Sequence, residues 1–150
     1  MTEVLFYHLT ESRLEQALPD LLEKSLARGW RVVVQCSSEE RRDALDNHLW
    51  TYREDSFLPH GSDRESSGAL QPILLTVDPA QRANDPQVRF LVDGAVPRSL
   101  ADYVRAVYLF DGHDTDQLDT ARARWTAEKA AGHAVTYWQQ TEEGRWVKKA

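Results

Sequence analysis

At 150 residues, with 41% hydrophobic and 28% charged side chains, the chain has the composition of a globular protein and the length of one domain, residues 1–150. A net charge of −6 argues against broad, unaided binding to duplex DNA, and a lone cysteine, Cys36, excludes an internal disulfide and a zinc cluster. The opening MTEVLFYHLT has neither a basic start nor a cleavage pattern, and no apolar run approaches the roughly 20 residues of a membrane span. The chain therefore reads as soluble and cytoplasmic, with no membrane partner.

Val4-Leu5-Phe6-Tyr7 predicts a first buried strand. Ser12 and Glu15 have capping-box spacing and open a helix carried by Leu14, Leu18, Leu21, Leu22 and Leu26 and ended by Gly29. Pro19 lies inside that pattern, so the helix either kinks there or starts near it. Trp30 to Gln35 predicts a second strand, and Ser37 with Glu40 starts a helix that runs through Ala44, Leu45 and Leu49 to Trp50. A loop ending in Leu58-Pro59-His60 follows, and then GSDRESSG, residues 61–68, a polar stretch expected to be mobile. Ile73–Val77 and Val88–Val92 predict strands, and Ser99–Tyr103 predicts a short helix or turn. Val104–Phe110 fits a strand or a helix. Asp114 or Thr115 begins a helix that stops at Gly132, and Val135–Trp138 predicts a last short strand before a basic tail.

Strands alternating with helices predict an α/β fold, a mostly parallel sheet with helices on both faces and nucleotide-binding-like topology. The phosphate loop of such folds is missing. Neither the first strand-helix turn, His8-Leu9-Thr10-Glu11-Ser12, nor the second, Cys36-Ser37-Ser38, contains glycine, and no GxxxxGK[ST] occurs. A binding surface is expected rather than a cofactor site, and no cofactor is predicted.

Two sets of residues invite an enzyme reading. His8, Asp111, His113 and Asp114 could form an acid-base or metal site in a small phosphate-handling or metal-dependent enzyme, although Asp-rich turns are also ordinary capping chemistry. Cys36 after a strand could be a nucleophile, but a buried thiol most often packs. No G-x-S-x-G elbow is present.

Aromatic and basic residues carry a different signal. Trp50 and Phe57, flanked by Tyr52 and Arg53, either anchor their loop or form an interface hot spot. Arg122, Trp125 and Lys129 share one stripe of the last helix, with Thr126 beside them. That stripe is either a solvated edge on a core tryptophan or a grip for a short peptide with an apolar end and a carboxylate. The last thirty residues carry +3 and the first 120 carry −9, which suits an acidic peptide approaching from one side. Direct single-strand binding through Trp125, Trp138, Trp146 and the basic tail is a further alternative.

Leu49-Trp50 closing the second helix and Ser56-Phe57-Leu58-Pro59-His60 after it resemble the chi subunit family of the bacterial DNA polymerase III clamp-loader assembly. Phe6-Tyr7, the Gly29 turn into Arg31-Val32-Val33-Val34, and Ala121-Arg122-Ala123-Arg124-Trp125 with Lys129 and Ala131-Gly132 extend the resemblance over nearly the whole chain. It is weakest over 61–87 and after Gln140. The resemblance implies a noncatalytic accessory subunit. Trp50, Phe57, Pro59 and His60 would meet the psi subunit, a surface that could also serve a helicase. Arg122, Trp125, Thr126, Lys129 and Tyr137 would hold the acidic C-terminal tail of single-stranded DNA-binding protein, so that DNA is reached indirectly. Arg122 matches the family's principal arginine. Trp125 stands where the family has a tyrosine, and Thr126 stands where it has a lysine, which shifts weight onto Lys129 or a tail lysine.

Overall fold

The computed structural model describes residues 2–52, 58–64 and 68–150. Along the chain run β1 (Glu3–Leu9), α1 (Leu14–Ala27), β2 (Val32–Gln35), α2 (Glu39–Thr51), β3 (His60–Ser62), β4 (Ile73–Thr76), β5 (Val88–Val92), β6 (Arg105–Asp111), α3 (Thr115–Ala130), β7 (Ala134–Gln140) and β8 (Trp146–Lys148). They build one sheet in the order β3-β4-β2-β5-β6-β1-β7-β8. Every pairing is parallel except the β7–β8 hairpin. The α/β expectation holds, with helices on both faces.

Alternation along the strands sorts side chains to two cores. Leu14, Leu18 and Leu22 of α1 and Leu45 and Leu49 of α2 pack with Val32, Val34, Phe90, Val107 and Leu109 on one face. Val4, Phe6, Val33, Leu91, Tyr108 and Phe110 pack with Ala121, Leu118 and Trp125 of α3 on the other. The window from Val104 resolves as a strand because Ala106–Phe110 is buried without a break, as a parallel strand covered on both faces requires.

Both helix starts lie one residue later than the capping patterns predict. Gln16, not Glu15, closes the box on the first, accepting from the backbone N–H of Arg13 at 3.0 Å. Ser38, not Ser37, caps α2 by accepting from the N–H of Arg41 at 3.2 Å. Pro19 sits in the interior of α1, which begins at Leu14 and runs through it. The expected mobile stretch begins as structure: His60-Gly61-Ser62 is a buried strand, and residues 65–67 lie outside the described residues. Gly61 lets the Gln71 side chain lie close to the strand, since a Cβ would sit 2.7 Å from it and displace it. The predicted last strand is longer than expected and turns through Gly144, at φ +82°, into the unforeseen β8.

Two features close the upper edge of the sheet. Arg89, fully buried in β5, donates to the Gln35 side chain, the Tyr103 hydroxyl and the carbonyls of Asp78 and Gln81, which straps the segment after β4 to the sheet. Beside β1, the backbone N–H groups of Thr10, Glu11 and Ser12 all donate to Gln140 Oε1, at 3.3, 3.1 and 3.0 Å.

Candidate peptide-binding pocket

Where the chain leaves β1 for α1 and the neighbouring β6 for α3 on the opposite face, a doubly wound fold usually takes its ligand. A crevice of about 450 Å3 lies there, lined by residues that include Thr10–Glu15, Arg41, Asp93, Asp111 and His113. Several of its polar groups are already committed to one another. Arg41 bridges Glu15 and Asp93, each at 2.8 Å. Asp111 accepts from the N–H of His113 at 2.8 Å, and Asp114 caps α3 through Gln117 at 3.1 Å. Among the described residues, no three His, Cys, Asp or Glu side chains cluster as a metal site. Burial pushes the Cys36 thiol up to about 12, so it stays protonated and poorly nucleophilic.

The more apolar cavity, about 460 Å3, opens between α3 and the β1–β7 part of the sheet. Phe6 and His8 form its floor, since alternate residues of β1 face α3. Trp125 meets the Phe6 ring edge-on at 5.5 Å and the Tyr137 ring at 6.2 Å. Phe6 in turn stacks on Tyr108 at 4.6 Å, so the wall rests on the core. Trp125 is thus both core support and cavity lining. Lys129 Nζ lies 4.8 Å over the Trp125 ring, and Arg122 and Thr126 stand on the rim.

The Arg122 side chain is 77% exposed and, among the described residues, pairs with Asp119 at 3.5 Å, a weak surface contact. Arg124, two residues on, points inward to buried Glu128 at 2.9 Å and to the Tyr108 hydroxyl at 3.2 Å, so it holds α3 to the sheet. Thr126 returns its hydroxyl to the carbonyl of Arg122, at 3.3 Å, and offers no charge.

His8 belongs to this cavity. Its Nδ1 shares a hydrogen bond with the Tyr137 hydroxyl and its ring stacks on Phe110 at 5.0 Å. Burial, and secondarily His113, lowers its pKa below the usual 6.5, against an opposing pull from Asp111. Gly112 permits this placement, because a Cβ there would lie 2.1 Å from His8 Nε2. Sequence reasoning missed Phe6, His8, Phe110 and Leu118 as lining. The parity of β1 was readable, but its pairing between β6 and β7 was not.

The other aromatic patch lies at the β3 edge, on the α2 face. Trp50 is 48% exposed at the end of α2, with its ring 4.2 Å from that of His60. His60 departs from the expectation that it faces a partner. It is buried, with Nδ1 on the carbonyl of Leu58 at 2.6 Å and Nε2 on the carbonyl of Asp46 at 3.0 Å. Leu58 is core, Pro59 is half-buried, and Phe57 and Arg53 lie outside the described residues. From β3 to β7 is six strand spacings, roughly 29 Å at about 4.8 Å each.

The family model described as "DNA polymerase III chi subunit, HolC" matches residues 1–136. A DNA polymerase III subunit chi from Pseudomonas aeruginosa is 36% identical over 79 residues, half of this chain and 54% of that protein. The Escherichia coli K12 subunit is 26% identical over 124 residues, 81% of this chain and 82% of that protein. A "Probable DNA polymerase III subunit chi" of Rickettsia prowazekii is 29% identical over 92 residues, 61% of this chain and 55% of its own length. The chain thus spans about half the length of two of these relatives and most of the third. Resting on the match over 1–136, the conclusion is that this chain belongs to the DNA polymerase III chi subunit family.

Proposed function

We propose that the chain is a noncatalytic accessory of the replicative polymerase that joins two polypeptides, the psi side of the clamp loader and the acidic C-terminal tail of single-stranded DNA-binding protein. The observation that carries this reading is the cavity walled by Phe6, Trp125 and Tyr137 with the Arg122 guanidinium at its rim. An apolar side chain can fill such a pocket while a terminal carboxylate meets Arg122. Lys129 supplies the second positive charge in place of the lysine that Thr126 lacks.

At the opposite edge, Trp50 and Pro59, with Phe57 in the adjoining segment, would meet psi or, on the same surface, a helicase. His60 works from beneath by fixing the turn under Trp50. The separation of the patches, and their places on opposite faces, support simultaneous engagement. The phosphate-handling and metal-dependent alternatives draw less support, because the carboxylates around His113 already serve turns and caps.

Calorimetric titration with a peptide ending in an acidic stretch and Phe tests the pocket. Binding should weaken as ionic strength rises and should be lost in Arg122→Ala, whereas Trp50-dependent association should respond little to salt. Unchanged peptide affinity in Arg122→Ala would remove the tail assignment.

A further inference from the structure

The face of the sheet opposite the Arg122 pocket carries a second aromatic array. Tyr7 of β1 pairs in register with Trp138 of β7, and their rings lie 6.2 Å apart. Trp146 of β8 meets Tyr7 edge-on at 4.6 Å. Helix α1 packs over β2 and β6, and Tyr7, Trp138 and Trp146 beside it are all half-buried. A cavity of about 240 Å3 lies among these rings and Trp30, Lys24, Arg28 and Arg105.

Cations surround the array. The Arg28 and Arg105 guanidinium groups lie 4.9 and 5.1 Å from the Trp30 ring centroid. Arg105 is paired with Glu3 at 2.6 Å. Lys24, Arg28 and Lys148 are exposed and form no ion pair among the described residues. Lys148 stands directly across the ladder from Trp138, on the same face of the sheet.

Flat rings on a sheet, ringed by positive charge, match a polymer that offers flat rings and negative charge together. We infer that Tyr7, Trp30, Trp138 and Trp146, with Lys24, Arg28 and Lys148, form a platform for single-stranded DNA. Unstacked bases lie on the rings and fill the cavity, and phosphates meet the cations. A duplex buries its base faces and cannot do this. The chain's net charge of −6 makes the contact short and salt-sensitive. Trp138, Trp146 and Lys148 lie beyond the segment 1–136 that matches the family, and Tyr7, Lys24, Arg28 and Trp30 lie within it, so the C-terminal hairpin completes a platform begun by β1 and the end of α1.

The test is fluorescence anisotropy with a labelled dT oligomer of about a dozen nucleotides at low salt, read together with quenching of the intrinsic tryptophan signal. The full chain should bind, quench, and lose affinity as salt rises. Trp146→Ala should weaken binding roughly tenfold. Arg28→Ala combined with Lys148→Ala, both at exposed positions and checked by an unchanged thermal midpoint, should weaken it further. Arg122→Ala should bind dT like the wild type, which separates this face from the peptide pocket. No binding at low salt, equal binding of a duplex of the same length, or full displacement by an acidic peptide would each overturn the platform.

Discussion

His48 donates through Nε2 to the carbonyl oxygen of Glu15 at 2.6 Å, and Glu15 is the residue whose helical partner Pro19 removes. A proline four residues on has no N–H to give, so α2 supplies a donor to α1 from outside. The bond also fixes how the two helices sit against each other on their shared face.

His48→Ala should therefore destabilise the fold by about 1–2 kcal/mol, the cost of leaving a partly buried carbonyl unpaired. In a Pro19→Ala background the helix can close its own bond, and the same His48→Ala change should cost less. Equal losses in both backgrounds, by urea denaturation, would show that the two residues are not coupled.

Arg122 and Arg124 should separate cleanly. Arg122→Ala should change stability by less than about 0.5 kcal/mol, since its guanidinium is largely in water. Arg124→Ala leaves Glu128 buried without its cation and should cost about 2–3 kcal/mol. Thermal midpoints of the two variants measure the difference.

Acidification should weaken the fold through His8. Its folded pKa is lowered, so the unfolded chain takes up the proton first. The contribution is complete above the unfolded value near 6.5 and is lost as pH falls through the lowered folded value. Between pH of about 7.5 and 5, His8→Gln should therefore show a shallower decline in thermal midpoint than wild type. Parallel declines would move the effect to other groups.

Cys36 should resist alkylation in the native protein at mildly alkaline pH and react at an ordinary rate once unfolded, because burial holds it as a thiol. Mass spectrometry after a timed pulse of iodoacetamide reads this directly.

Trp50→Ala should leave the thermal midpoint close to wild type, since half of the side chain is already in solvent, while abolishing co-purification with a clamp-loader partner. A large drop in stability would make Trp50 a loop anchor instead.

Legibility in the sequence followed burial. Val32–Gln35, Ile73–Thr76 and Val88–Val92 could be read because they are central, parallel strands covered on both faces and so apolar or β-branched almost throughout. His60-Gly61-Ser62 could not, because its burial is made possible by polar bonds, from His60 to the Leu58 and Asp46 carbonyls, that no hydrophobic pattern announces. Trp146–Lys148 was hidden for the opposite reason: an exposed edge strand leaves little apolar signature. The candidate pocket beside α3 was half visible, since helical spacing placed Arg122, Trp125 and Lys129 together. Its floor depended on a β1–β7 pairing between residues roughly 130 apart in sequence, which no local pattern encodes.

The single carboxamide of Gln140 reaches back from the far end of the chain to occupy three N–H groups after β1. In kindred scaffolds that corner is a berth for phosphate. Here the berth has a resident tenant, tethered by covalent bonds to the strand beside it and so never diluted away. A nucleotide arriving from solution would have to evict it before docking, and the bonds from Thr10, Glu11 and Ser12 would each have to be broken.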